Sequence, residues 1–94
     1  MEQREPHRIC QYKLEITDTQ KVQMPKYSRI FSVGNQNGDL CLWALTENPT
    51  YNLEDITIDI VGTGDPMDTD LQFRRKFIGT VVINPFVWHV FERV

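Results

Sequence analysis

Between Ile60 and Asp70 the sequence reads IVGTGDPMDTD, a run of isoleucine-rich strand character followed by two glycines, a proline and three aspartates. Glycines after a strand let backbone N–H groups converge on an anion, so Gly62, Thr63 and Gly64 carry one ingredient of a phosphate nest. A dinucleotide loop also needs a third glycine and a helix whose N-terminus meets the phosphate, and neither follows. Asp65, Asp68 and Asp70 would repel an anion and are suited instead to a hard cation, which takes oxygen ligands. Their spacing is not that of an EF-hand loop, whose glycine and distal glutamate are missing. Asp65 before Pro66 is equally a common way to begin a turn.

Other chemistries find less material. The two cysteines, Cys10 and Cys41, form no CxxC or paired Cys/His spacing and sit in apolar-patterned segments, where a free thiol behaves as a small hydrophobe. His7 and His89 are the histidines, and a thiolate pair of Cys41 with His89 requires that their strands be juxtaposed. Trp43, Tyr51, Phe86, Trp88 and Phe91 either line a stacking pocket with Arg74 or Arg75 at its rim or fill the core of a short chain, and the core is the favoured reading for most of them. The reading assigns no catalytic residue, no metal ligand and no cofactor. It nominates a ligand-binding face of Trp43, Gly62, Thr63, Gly64, Asp65, Arg74, Arg75 and His89.

The elements that must position these residues are strands. Cys10, Tyr12, Leu14 and Ile16 alternate with Gln11, Lys13, Glu15 and Thr17, the period of a half-exposed strand. Val22 and Met24 resume the pattern briefly before Pro25. Ser28–Gln36 reads as the next strand, and Asn37-Gly38 is a strong hairpin signal because both residues tolerate positive φ. Leu40–Leu45, LCLWAL, is nearly all apolar and reads as a central strand. Ile56, Ile58 and Ile60 mark a β-branched strand. Phe77–Ile83 and Phe86–Phe91 complete the set, with Asn84 and Pro85 turning between them. No segment carries a sustained helical period. The expected fold is all-β, a small antiparallel sandwich or partly open barrel of about seven short strands, in a single domain over residues 1–94 with residues 1–8 as a flexible tail.

Bulk properties set limits on function. The 94 residues carry a net charge of −3, which disfavours nucleic acid because phosphate neutralisation needs clustered cations. The one basic cluster, Arg74 to Lys76, reads as a solvated strand entrance. At this length roughly two thirds of the unfolded surface can be buried, enough for one modest core. The charged N-terminus lacks the apolar stretch of a signal peptide, and no apolar run reaches the length of a membrane span. A cytoplasmic location with no membrane partner is expected.

The segments YKLEITDTQ, VQMP, SVGNQNGDLCLWAL, IVGTGDPM and FIGTVVINPFVWHVFE resemble, in this order, a family of small uncharacterised proteins encoded by bacteriophages and prophages. QNGxxCLWAL, GTGxPM and the closing WHVFE are its most specific motifs, and the likeness spans about Tyr12 to Glu92. The resemblance brings no established activity, so it transfers no catalytic or ligand residue. It implies a compact accessory protein of a bacterial host cytoplasm. The expectation is a non-catalytic, phage-encoded binding protein, homo-oligomeric, that engages a host factor or a small ligand, nucleotide-type ligands included, and counteracts host defence. The alternatives are a small metal-dependent hydrolase using Asp65, Asp68 and Asp70, or a structural subunit of a phage assembly.

Overall fold

A computed structural model describes residues 7–46, 52–67 and 74–94. Seven strands follow in chain order: β1 (Arg8–Lys13), β2 (Thr19–Pro25), β3 (Arg29–Gln36), β4 (Asp39–Thr46), β5 (Leu53–Gly62), β6 (Arg75–Ile83) and β7 (Phe86–Arg93). They form two antiparallel sheets, β1-β4-β3 and β2-β5-β7-β6. The all-β expectation holds, and the sheets do not close into a barrel.

Turn chemistry fixes the hairpins. Asn37 and Gly38 have φ of 54° and 90°, the left-handed pair a type I′ turn requires, and the Asn35 side chain accepts a bond from the Gly38 N–H at 2.7 Å. The β6–β7 hairpin turns through Asn84 and Pro85 with a cis peptide bond between them. LCLWAL is the central strand of its sheet, with Leu40, Leu42 and Ala44 buried on the inner face and Cys41 buried on the outer one.

The inner faces of both sheets share one core of Leu14, Met24, Leu40, Leu42, Ala44, Ile58, Ile60, Val81 and Val90. That core is aliphatic, which corrects the aromatic expectation. Phe86 is 57% exposed, Trp88 packs against the core only at its margin, and Tyr51 lies outside the described residues. Leucine and β-branched side chains alternating on short strands already fill the gap between the sheets, which leaves the rings to the rims and outer faces. Phe77 and Phe91 pair on the outer face of the larger sheet with centroids 5.5 Å apart.

Two edges meet, and among the described residues two stay open. β3 abuts β6, where the Asn35 amide donates to the Val82 carbonyl at 3.1 Å. A Cβ at Gly79 would stand 2.8 Å from Val33 Cγ2, so this approach needs a glycine. β1 and β2, the opposite terminal strands, are joined by the crossover Leu14–Asp18. The crossover ends the alternation early: β1 stops at Lys13, Leu14 is buried, and Ile16 is 51% exposed instead of sharing the inner face. Arg8, read as tail, begins β1, while residues 1–6 lie outside the described part. Bulges at Phe31 and Ile78 shift the register of β3 and β6, one extra residue on one strand that no alternation count registers.

Candidate functional site

The open side of the sandwich carries the candidate site. Where β5 runs past the start of β2, the crossover continues its pairing with a bond from the Ile60 N–H to the Asp18 carbonyl at 3.0 Å. Gly62 ends the strand, and its carbonyl accepts from the Asp65 N–H at 3.0 Å in a tight turn in which Gly64 takes φ of 90°. A cleft of about 650 Å³ forms there, with Ile16, Asp18, Gly62, Asp65, Met67 and Trp88 among its lining. That size falls in the usual range for a ligand pocket. A Cβ on Gly62 would meet Asp65 Oδ2 at 2.6 Å and Trp88 Cζ3 at 3.1 Å, so this glycine lets the indole and the loop carboxylate approach the strand.

A second cleft of about 530 Å³ adjoins the first and shares Ile16 and Trp88 with it. Leu14, Leu40, Ile83 and Phe86 give it apolar walls, and Lys13, Glu15 and Asp39 supply its charges. Phe86 and Trp88 lie with ring centroids 5.6 Å apart. The two halves make one groove along the crossover, with an apolar floor and a charged rim.

One end of the groove is closed by an ionic clamp. Asp59 sits between the core residues Ile58 and Ile60 and therefore faces outward, yet its side chain is only 5% exposed. Arg93 holds it with two bonds, Nε to Oδ2 at 2.8 Å and Nη2 to Oδ1 at 3.0 Å. Arg75 Nε adds a third at 2.8 Å, and the Thr19 hydroxyl donates at 2.7 Å. Burial alone pushes this carboxyl up, but the bonds from Arg93, Thr19 and Arg75 and the charge of Arg93 outweigh it and hold the group below the usual carboxylate range. The clamp anchors β2, β6 and β7 to β5.

The nominated residues separate into groups. Gly62, Asp65 and Arg75 line the first cleft. Thr63 and His89 meet each other instead, on the outer face of the larger sheet: Thr63 Oγ1 lies 2.8 Å from His89 Nε2, and Thr80 Oγ1 lies 2.9 Å from Nδ1. Arg74 is exposed, and its carbonyl accepts from the Val94 N–H at 2.9 Å. Trp43 belongs to the other sheet, beside Gly34 on its outer face, and is not part of the groove. Cys41 and His89 also lie on different sheets, so they form no thiolate pair. Asp68 and Asp70 fall outside the described residues, and among the described residues no group of three His, Cys, Asp or Glu is placed to hold a metal ion.

Asp59, Arg93, Ile16, Asp18, Trp88 and Glu15 are among the groove residues that lie outside the expected face. The signal for Asp59 was its acid in the middle of an isoleucine strand. Nothing local announces its partner Arg93, which stands 34 positions away.

Fold and groove together define a two-sheet antiparallel β domain with a cleft at the edge of its sandwich. A family described as "Domain of unknown function (DUF7352)" matches residues 6–94, and the chain belongs to that family. No curated protein and no solved structure matches the chain. Among the described residues no helix is long and apolar enough to cross a membrane.

Proposed function

We propose that this protein is a non-catalytic binding protein that engages its target through the groove at Ile16 and Trp88. The observation that carries the reading is the groove itself: a glycine-dependent approach of indole and loop carboxylate beside the crossover, with an exposed apolar lining and polar groups at the rim. Such lining is what recognition sites use to gain area and orientation together. His89, paired to the hydroxyls of Thr63 and Thr80, lies on the outer sheet face and lines neither half of the groove, which favours binding over catalysis.

The likeness of its motifs to phage and prophage proteins supports an accessory role in a bacterial host cytoplasm, with a host factor as target and interference with host defence as the outcome. Exposed Phe77 and Val82 on the outer face of the larger sheet support a homo-oligomer, because apolar surface of this kind is commonly covered by another subunit.

Native mass spectrometry of the chain purified from a bacterial host tests both points. An added mass retained by the wild type and lost in Ile16→Glu supports the groove. The same mass on both proteins, or none on either, counts against it. The subunit count in the same spectrum decides the oligomer.

A further inference from the structure

The charges around the groove are unequal. Arg75 and Arg93 are engaged with the carboxylate of Asp59, and Lys13 faces Asp39 at 3.5 Å. Glu15, Asp18 and Asp65 are exposed and make no ion pair among the described residues. Each lines one half of the groove or the other, Glu15 the second cleft and Asp18 and Asp65 the first. The rim therefore presents three carboxylates that make no ion pair among the described residues, outnumbering the two guanidiniums that the clamp sets against Asp59, beside the apolar lining of Ile16, Trp88 and Phe86. Carboxylates at a rim select an approaching cation and speed its encounter, while the apolar floor supplies the contact area.

We propose that the groove takes an extended segment of a partner protein in which lysine or arginine residues flank an aliphatic or aromatic one. This rests on the binding reading above and names the chemistry of the partner. The apolar residue seats against Trp88 and Ile16, and the basic residues on either side reach Asp18 and Asp65 in one direction and Glu15 in the other. The long stems of lysine and arginine lie along apolar surface while their charged ends remain in water at the rim. An anionic partner, nucleic acid included, meets like charge there.

The inference is tested with three capped peptides of one length, each with a central Leu-Phe pair, flanked by lysines, glutamines or glutamates. Trp43→Phe removes the indole outside the groove, so fluorescence in that background reports Trp88 alone. The lysine peptide is expected to shift Trp88 emission saturably, to weaken as salt rises, and to bind more tightly than the glutamine peptide, with the glutamate peptide weakest. Asp18→Asn and Asp65→Asn sit at exposed positions and are expected to lower lysine-peptide affinity by about threefold each, the scale of one exposed ion pair, without changing the glutamine peptide. If the three peptides bind equally at Trp88, the groove stands as a binding site and the basic partner is overturned. If none moves Trp88, peptide docking is overturned, while a mass lost in Ile16→Glu would still leave the groove as a site for another ligand.

Discussion

Two polar clusters share the outer face of the larger sheet, and they differ in almost every respect. In one, Asp59 is covered by Arg75 and Arg93, whose side chains are 13% and 25% exposed. In the other, His89 lies half-buried between Thr63 and Thr80 at hydrogen-bonding distance from each, with both bonds at the surface. The first joins four strands and removes a carboxylate from water. The second joins neighbouring strands and the loop after β5 by bonds that water replaces at little cost. A sequence reader drawn to residues that do chemistry selects His89 and passes over Asp59. Burial reverses that ranking for stability, since an ionised group shut from water depends on its partners far more than a group whose bonds lie at the surface does.

Asp59→Asn should therefore have the largest effect of any single change in either cluster. It removes the carboxylate charge that both guanidinium groups bond, and a loss of about 3 kcal/mol is expected from the cost of breaking a buried pair. Chemical denaturation measures it, and a loss within the range of ordinary surface changes would remove the contrast between the clusters.

The same clamp dictates an acid response. Because the folded state holds the Asp59 carboxyl below its usual 3.8, the stability it contributes is fully present above that value and is lost as pH falls through the lower, folded-state value. The wild type should lose stability on acidification more steeply than Asp59→Asn below about pH 4, the region where an unperturbed aspartate protonates. Parallel acid limbs for the two proteins would place the clamp's contribution elsewhere.

Next in size comes Arg93→Lys. An ammonium keeps the charge but not the two-pronged match to the carboxylate, so a loss of about 1 kcal/mol is expected, the net worth of a hydrogen bond. Thermal unfolding at neutral pH reads it, and full retention of stability would mean that charge alone, not the fork geometry, holds Asp59.

How much of this was legible in advance follows from the same contrast. Strand positions, the Asn37-Gly38 hairpin and the turn at Asn84 and Pro85 are written in local chemistry, and a period of two does not need tertiary information. The turn character of Gly64 and Asp65 is local in the same way. The bulges at Phe31 and Ile78 are not, because they answer to the partner strand. Nor is the end of β1: Glu15 and Ile16 continue the alternation on paper, but the chain must leave one sheet for the other and turns Ile16 outward into the groove. Trp43 and Trp88 have similar surroundings in sequence, each in an apolar strand. Only the sheet order separates them, placing one against Gly34 and the other beside Gly62 at the groove.

The smallest effect belongs to the exposed cluster. Whenever the imidazole carries a single ring proton, one of the two threonines donates to His89 and the other accepts. Thr80→Val removes the hydroxyl at Nδ1 and leaves Thr63 alone to select the tautomer. Stability should change by no more than about 0.5 kcal/mol, as for exposed positions in general, while the nitrogen shifts of the His89 ring, read by NMR, should move. A loss as large as that of Asp59→Asn would make the histidine cluster a second structural clamp. Altered ring shifts with unchanged stability would confirm that the sheet face uses one cluster to hold strands together, while the other sets the histidine tautomer at little cost in stability.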